Sequence, residues 1–153
     1  MSVHDIVAAI REWAPGHAAP RVGIVLGSGL SGLADDVAGA VRIPYGDLPG
    51  FPRSGVSGHR GDLVLGRLEG VAVAVFAGRA HTYETGDPRV MEVPVATLAA
   101  LGAETLILTN AAGSLREEMP PGSPMLIADH LNLTGLNPLI GREGDARFVS
   151  MVD

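Results

Sequence analysis

Apolar residues at the start of the chain fall at helical spacing. Val3, Ile6, Val7, Ile10 and Trp13 recur three or four positions apart, with Asp5, Arg11 and Glu12 between them, which predicts an amphipathic helix ended by Pro15 and Gly16. The pattern then changes to short continuous runs. Arg21 to Leu26 is apolar and β-branched and stops at glycine, as a buried parallel strand would, and a Gly-rich turn follows at once. A short helical piece is read around Leu30 to Ala38 and a strand near Val41. From Pro44 to Pro52, three prolines and two glycines predict a loop without regular structure. Leu63 to Leu68 and Val71 to Ala77, joined through Glu69 and Gly70, read as consecutive strands of a hairpin or meander, so the sheet is expected to be mixed. Asp87 and Pro88 supply an N-cap and a first-turn proline for a helix carried from Val90 to Leu101 and stopped at Gly102. Pro94 inside it predicts a kink or a late start, because proline lacks a backbone donor and crowds the preceding turn. Thr105 to Thr109 and Met125 to Leu133 read as two further buried strands. Strands alternating with helices predict an α/β fold: a mixed, largely parallel central sheet flanked by helices.

Composition narrows the class. With 153 residues the chain suits one buried domain, and 46% apolar against 18% charged residues excludes disorder. The mean hydropathy is +0.27, yet apolar stretches such as Val71 to Ala77 fall far short of the roughly 20 residues of a membrane span. No basic start leads into an apolar run, so a cytoplasmic location is expected. Cysteine is absent, which removes disulfides, thiolate metal sites and a cysteine nucleophile. All eleven basic residues are arginine, which removes a Walker-type phosphate loop and a lysine Schiff base. A formal charge of −6 argues against nucleic acid as a partner, although a local cluster of donors can still hold a small anion.

Three strand ends carry candidate chemistry. Gly27-Ser28-Gly29-Leu30-Ser31-Gly32 follows the first strand; its amides can form an anion-binding nest, Ser28 adds a hydroxyl, and a helix start adds partial positive charge. The same letters fit the GxGxxG turn of dinucleotide-binding folds, and equally a tight turn with no ligand. Gly78-Arg79-Ala80-His81-Thr82-Tyr83-Glu84 begins where another strand ends. If extended, it projects Arg79, His81 and Tyr83 to one side. A guanidinium fork suits phosphate oxygens, an imidazole can donate to the same anion, and Glu84 can orient or charge that imidazole. A solvated loop with a salt bridge is the plainer alternative. Thr109-Asn110-Ala111-Ala112-Gly113-Ser114 closes the third strand with small residues that let a ligand approach the backbone. His59 in Ser57-Gly58-His59-Arg60 is a fourth candidate. His130 is expected to be a hydrogen-bonded core residue, and His4 and His17 surface residues; no spacing supports a metal site.

In this order, the segments resemble the trimeric class of purine nucleoside phosphorylases. VLGSGLSGL (25 to 33), IPYGDLPGFP (43 to 52), SGHRGDLVLG (57 to 66), GRAHTYE (78 to 84) and LTNAAGSL (108 to 115) carry the likeness, and MLIADHLNLTGLNPL (125 to 139) and RFVSM (147 to 151) extend it. The resemblance implies phosphorolysis of purine (deoxy)ribonucleosides to the free base and a pentose 1-phosphate, with inorganic phosphate as co-substrate and no cofactor. It places the phosphate site on Ser28, His59, Arg79, His81 and the Ala111 amide, the ribose contact on Tyr83, and Asn110 beside the pocket; His81, Glu84 and Asn110 are the candidate catalytic residues. Phe148 matches an aromatic that reaches the neighbouring subunit's site, which implies a homotrimer. The base-reading residues of the family come from a C-terminal half that residues 1–153 do not contain. The chain is therefore expected to be the N-terminal portion of a single phosphorylase domain, inactive in isolation. NAAGSL and GRAHTYE look closer to these enzymes than to the branch acting on methylthioadenosine. Two readings from other classes stand beside it. One is a dinucleotide-binding oxidoreductase domain, with Asp47 about 20 residues after the glycine turn as the ribose acid. The other is a non-catalytic phosphate-binding or interaction subunit.

Overall fold

The computed structural model describes residues 2–52 and 61–149. Helix α1 (Val3–Trp13) forms where the spacing places it. Its N-terminus is closed reciprocally: the Asp5 N–H donates to Ser2 Oγ at 3.3 Å and the Ser2 N–H donates to the Asp5 carboxylate at 2.7 Å. That satisfies donors the helix cannot satisfy itself. Ile6, Val7 and Ile10 are its buried face, and it packs on α3 (Glu92–Leu101), which buries Leu98 and Leu101.

Five strands form one sheet in the order β2-β3-β4-β1-β5. They are β1 (Val22–Val25), β2 (Ala38–Pro44), β3 (Asp62–Leu68), β4 (Val71–Ala77) and β5 (Thr105–Leu108). β1 is parallel to β4 and β5, whereas β3 is antiparallel to β2 and β4, so the sheet is mixed as expected. The β3–β4 hairpin turns at Glu69 and Gly70, with φ of 47° and 78°. Positive φ at both central positions is what matches a two-residue turn to the twist of the strands. Side chains alternate between two apolar layers. Val25, Leu63, Leu65, Ala74 and Phe76 meet α1 and α3 on one face; Ile24, Leu26, Val64, Val73 and Val75 meet Ala34 and Val37 on the other.

Several elements differ from the sequence reading, each for a physical reason. The piece around Leu30 to Ala38 is a single 3₁₀ turn, Ser31–Ala34, and Ala38 already opens β2. The Asp35 carboxylate accepts from Arg42 of β2 at 2.7 Å, tying the turn to the strand. So short a turn adds little helix-end charge to the glycine segment. Asp87 does not cap α3. Its Oδ1 accepts the Arg89 N–H at 2.9 Å in a local turn, and the helix starts at Glu92. Pro94 then falls in the first turn, where its missing N–H costs no intrahelical bond, so the late start holds and the kink does not. β5 is not buried: Leu106, Ile107 and Leu108 are 41%, 45% and 67% exposed. It is an edge strand paired to β1 alone among the described residues. Met125 to Leu133 is irregular, with Leu126, Leu131 and Leu133 each at least 90% exposed. An apolar run becomes a strand only beside a neighbour that takes its backbone bonds, and among the described residues none pairs with it. His130 is accordingly exposed rather than in the core, while His4 and His17 are exposed as expected.

Candidate active site

Parallel pairing of β4, β1 and β5 brings their C-terminal ends to one edge of the sheet, where open α/β sheets place ligands. Thr109, just past β5, is the junction. The Gly27 N–H donates to Thr109 Oγ1 at 2.8 Å, and that hydroxyl donates to the Val25 carbonyl at 3.0 Å. The Thr109 N–H donates to the same Val25 oxygen at 3.1 Å. From the end of β4, Arg79 reaches over β1 and donates through Nη1 to the Thr109 carbonyl. Gly27 is required here by space: a Cβ at that position would lie 2.6 Å from the Thr109 oxygen and 3.0 Å from Asn110 Cα. Three strand ends are therefore cross-linked within one small region.

The predicted residues are distributed around this junction as follows. Ser28 is exposed in the turn after β1, and Arg79 is half-buried. The segment after Arg79 is not extended throughout, because α2 (Thr82–Thr85) begins immediately after His81. Tyr83 thus sits on a helical turn rather than in an alternating row. Its ring nevertheless stacks on His81, with centroids 4.8 Å apart and planes 12° from parallel. Glu84 Oε1 accepts the backbone N–H of His81 at 2.7 Å, which holds the start of that turn. Asn110 and Ala111 are exposed just beyond Thr109, with the Asn110 amide 3.5 Å from the Ala111 carbonyl. Phe148 is 71% exposed and carries the Arg147 guanidinium 4.8 Å above its ring. His59 lies outside the described residues. A surface depression lined by Thr85 to Arg89, Leu136, Asn137 and Ile140 adjoins the C-terminal end of α2.

Two residues escape the sequence reading. Thr109 opens the small-residue segment, but its bonds span 82 residues to Gly27 and 84 to Val25. Tyr45 belongs to the Pro/Gly loop, yet is 3% exposed, and its hydroxyl donates to the Gly78 carbonyl at 2.8 Å. Burial, with the Asp62 carboxylate adding to it, raises the phenol's pKa, so the group remains a donor. The usable signal was compositional: aromatics are only 4% of the chain, and Tyr45 and Phe51 both fall in a segment that otherwise reads as punctuation.

The sheet order rejects the dinucleotide arrangement. Asp47 lies in a 3₁₀ turn, Tyr45–Asp47, after a strand that β3 and β4 separate from β1, whereas the ribose acid of that fold follows a strand beside the first. Comparison with known proteins is decisive for the family: the family model of the phosphorylase superfamily matches residues 21–153. The chain belongs to the phosphorylase superfamily. Within that superfamily it is 49% identical over 134 residues to purine nucleoside phosphorylase 1 of Geobacillus stearothermophilus, covering 88% of this chain and 49% of the relative. It is 50% identical over 135 residues to purine nucleoside phosphorylase 1 of Bacillus subtilis, covering 86% and 50%. The chain spans about half the length of the curated relatives it matches. The solved Schistosoma mansoni purine nucleoside phosphorylase in complex with acetate superposes with a TM-score of 0.67 at 36% identity, over 77% of this chain and 43% of that one. A purine nucleoside phosphorylase in complex with ribose-1-phosphate gives 0.68 at 36%, over the same shares. The mixed five-stranded sheet with flanking helices is thus the phosphorylase fold of these superfamily members.

Proposed function

We propose that this chain supplies the phosphate end, and part of the ribose end, of a site for phosphorolysis of purine (deoxy)ribonucleosides. The observation that carries the reading is the Arg79 guanidinium anchored on the Thr109 carbonyl across the end of β1. An arginine has five N–H donors in a fixed fork, so one bond to a carbonyl orients the group and leaves further donors for an anion. Ser28, His81 and the Ala111 amide belong to loops leaving the same three strand ends, and His59 joins them by the family motif.

Phosphorolysis suits such a scaffold. The glycosidic bond breaks through an oxocarbenium-like state, so a phosphate dianion held below the sugar both stabilises the positive charge and forms the new C–O bond. Donors fixed before reaction place that nucleophile without reorganisation. Phosphate is a co-substrate, and no cofactor is required. Tyr83, stacked on His81, is assigned to the ribose; His81 and Glu84 are assigned to catalysis through the turn they close after β4, and Asn110 through the loop it enters after β5. The departing purine needs a proton or hydrogen bond at its imidazole edge, and that role is assigned to none of these residues. The protein is read as a cytoplasmic homotrimer in which Phe148 covers the neighbouring site, residues 1–153 being the N-terminal portion of a single domain with negligible turnover alone.

The test is titration of the chain with inorganic phosphate by calorimetry. Saturable binding lost in Arg79→Ala, with the circular dichroism spectrum retained, is the expected result; equal binding by the variant removes the reading. Rapid release of hypoxanthine from inosine by the purified chain would overturn the assignment of negligible turnover. A monomer at every concentration in sedimentation equilibrium would remove the role given to Phe148.

A further inference from the structure

Tyr45 joins three segments that the sequence keeps apart. Its ring packs against Phe51 and Phe76, with centroids 5.4 and 6.0 Å away, and those two rings lie 5.8 Å from each other. Its backbone N–H donates to the Gly61 carbonyl at 2.7 Å, and the Gly61 N–H donates to the Ala77 carbonyl at 3.0 Å. Its hydroxyl donates to the carbonyl of Gly78, the residue before Arg79, at 2.8 Å. The oxygen of Gly78 and the nitrogen of Arg79 belong to one planar peptide, so holding the oxygen sets the direction in which Arg79 leaves β4. Gly78 has a φ of 125°, a position open to glycine, so no side chain of its own constrains this peptide.

We infer that Tyr45 is a positioning residue for the anion site, acting through the Gly78–Arg79 peptide without touching the ligand. This rests on the reading of Arg79 as a phosphate donor. The backbone bond to Gly61 and the edge contact with Phe76 hold the ring, and the hydroxyl fixes the peptide from which Arg79 crosses to Thr109. A purely structural role, satisfying one buried carbonyl, makes a different prediction about where damage appears.

Tyr45→Phe keeps the ring and removes the hydroxyl; Phe51→Leu loosens the same cluster and keeps the hydroxyl. In calorimetric titration with inorganic phosphate, Tyr45→Phe is expected to bind about tenfold more weakly, the size of effect that losing one buried hydrogen bond can transmit. Its Arg79 amide resonance should move in the ¹⁵N spectrum. Phe51→Leu is expected to lower the melting temperature while leaving the phosphate Kd within about twofold, since it removes packing but not the donor. Wild-type affinity in Tyr45→Phe, or losses of affinity in both variants that follow the loss of melting temperature, would overturn the inference. If the wild-type chain takes up no phosphate, the phosphate reading fails, and the clamp is then decided by the Arg79 amide: unmoved in Tyr45→Phe, it is refuted.

Discussion

Gly27→Ala tests whether the strand ends are as tightly joined as their hydrogen bonds imply. The backbone at Gly27 is outside the left-handed region, so alanine meets no conformational penalty there and the whole effect comes from space. The new methyl would sit 2.6 Å from the Thr109 oxygen, 3.2 Å from its carbonyl carbon and 3.0 Å from Asn110 Cα, inside the 3.4 Å at which ordinary contact begins. All three atoms are backbone, and the oxygen is also the acceptor for Arg79. None can turn away as a side-chain tip would. Overpacking of this kind costs about 1 to 3 kcal/mol, and for a chain of this length that lowers the melting temperature by roughly 3 to 10 °C. Gly23→Ala, on the same strand, is the matched control. Its methyl would lie 2.6 Å from Leu98 Cδ1, a movable side-chain end remote from the strand terminus. Urea unfolding followed by circular dichroism gives the stabilities, and calorimetric phosphate titration gives the affinities. Both variants are expected to lose stability, and Gly27→Ala alone to lose phosphate affinity. If Gly27→Ala is as stable as the wild type, or if Gly23→Ala impairs phosphate binding equally, the junction has been misread.

Thr109→Val removes the hydroxyl that accepts from Gly27 and donates to Val25; thermal denaturation should show a loss of about 1 to 3 kcal/mol, with Thr109→Ser recovering most of it. Glu69 holds a φ of 47° at the β3–β4 turn, so Glu69→Asn should raise stability by about 0.5 to 1 kcal/mol in urea unfolding, and leave phosphate binding unchanged because the turn is at the opposite end of β4. The Asp5 carboxylate is held below its ordinary 3.8 by the Ser2 backbone and then the Ser2 side chain. A carboxylate depressed in the folded state stabilises above 3.8 and loses that contribution as pH falls through its folded value. A ¹³C titration of Asp5 should therefore move toward 3.8 in Ser2→Ala, and the variant's stability difference should shrink at the acid end.

What the sequence made legible is local. The α1 spacing, the hairpin at Glu69 and Gly70, and the glycine stops after β1 and β4 are each decided by residues within a few positions, and each forms as read. Coverage is not local. β5 is as apolar as β4, yet β4 has strands on both sides and layers on both faces, whereas β5, among the described residues, pairs with β1 alone and is exposed. Periodicity reports which residues prefer burial, and neighbours decide whether they get it. The candidate site divides in the same way. Arg79, His81 and Ser28 announce themselves by residue type at a strand end, while Thr109 and Tyr45 act through partners 30 or more residues away that no window of the sequence brings together.

That division bears on how the site holds its shape. One wall is β4, whose residues from Ala72 to Ala77 are buried, and the Gly78–Arg79 peptide just beyond it is held by Tyr45. The opposite wall is β5, exposed along its length and joined at its end by the three bonds of Thr109 with Val25 and Gly27. Elements with few buried contacts open first in a folded protein, at free energies well below that of global unfolding. Arg79 is rooted in the first wall and anchored on the second, so opening of β5 takes away the carbonyl that orients its guanidinium without disturbing its backbone. An anion that binds only the anchored guanidinium must then also favour the paired state of β5, by RT ln(1 + L/Kd), where L is the free anion concentration. For the proposed phosphate site, protection of the Thr109 amide against hydrogen exchange is therefore expected to rise with phosphate concentration, and protection unchanged at saturating phosphate would refute the linkage.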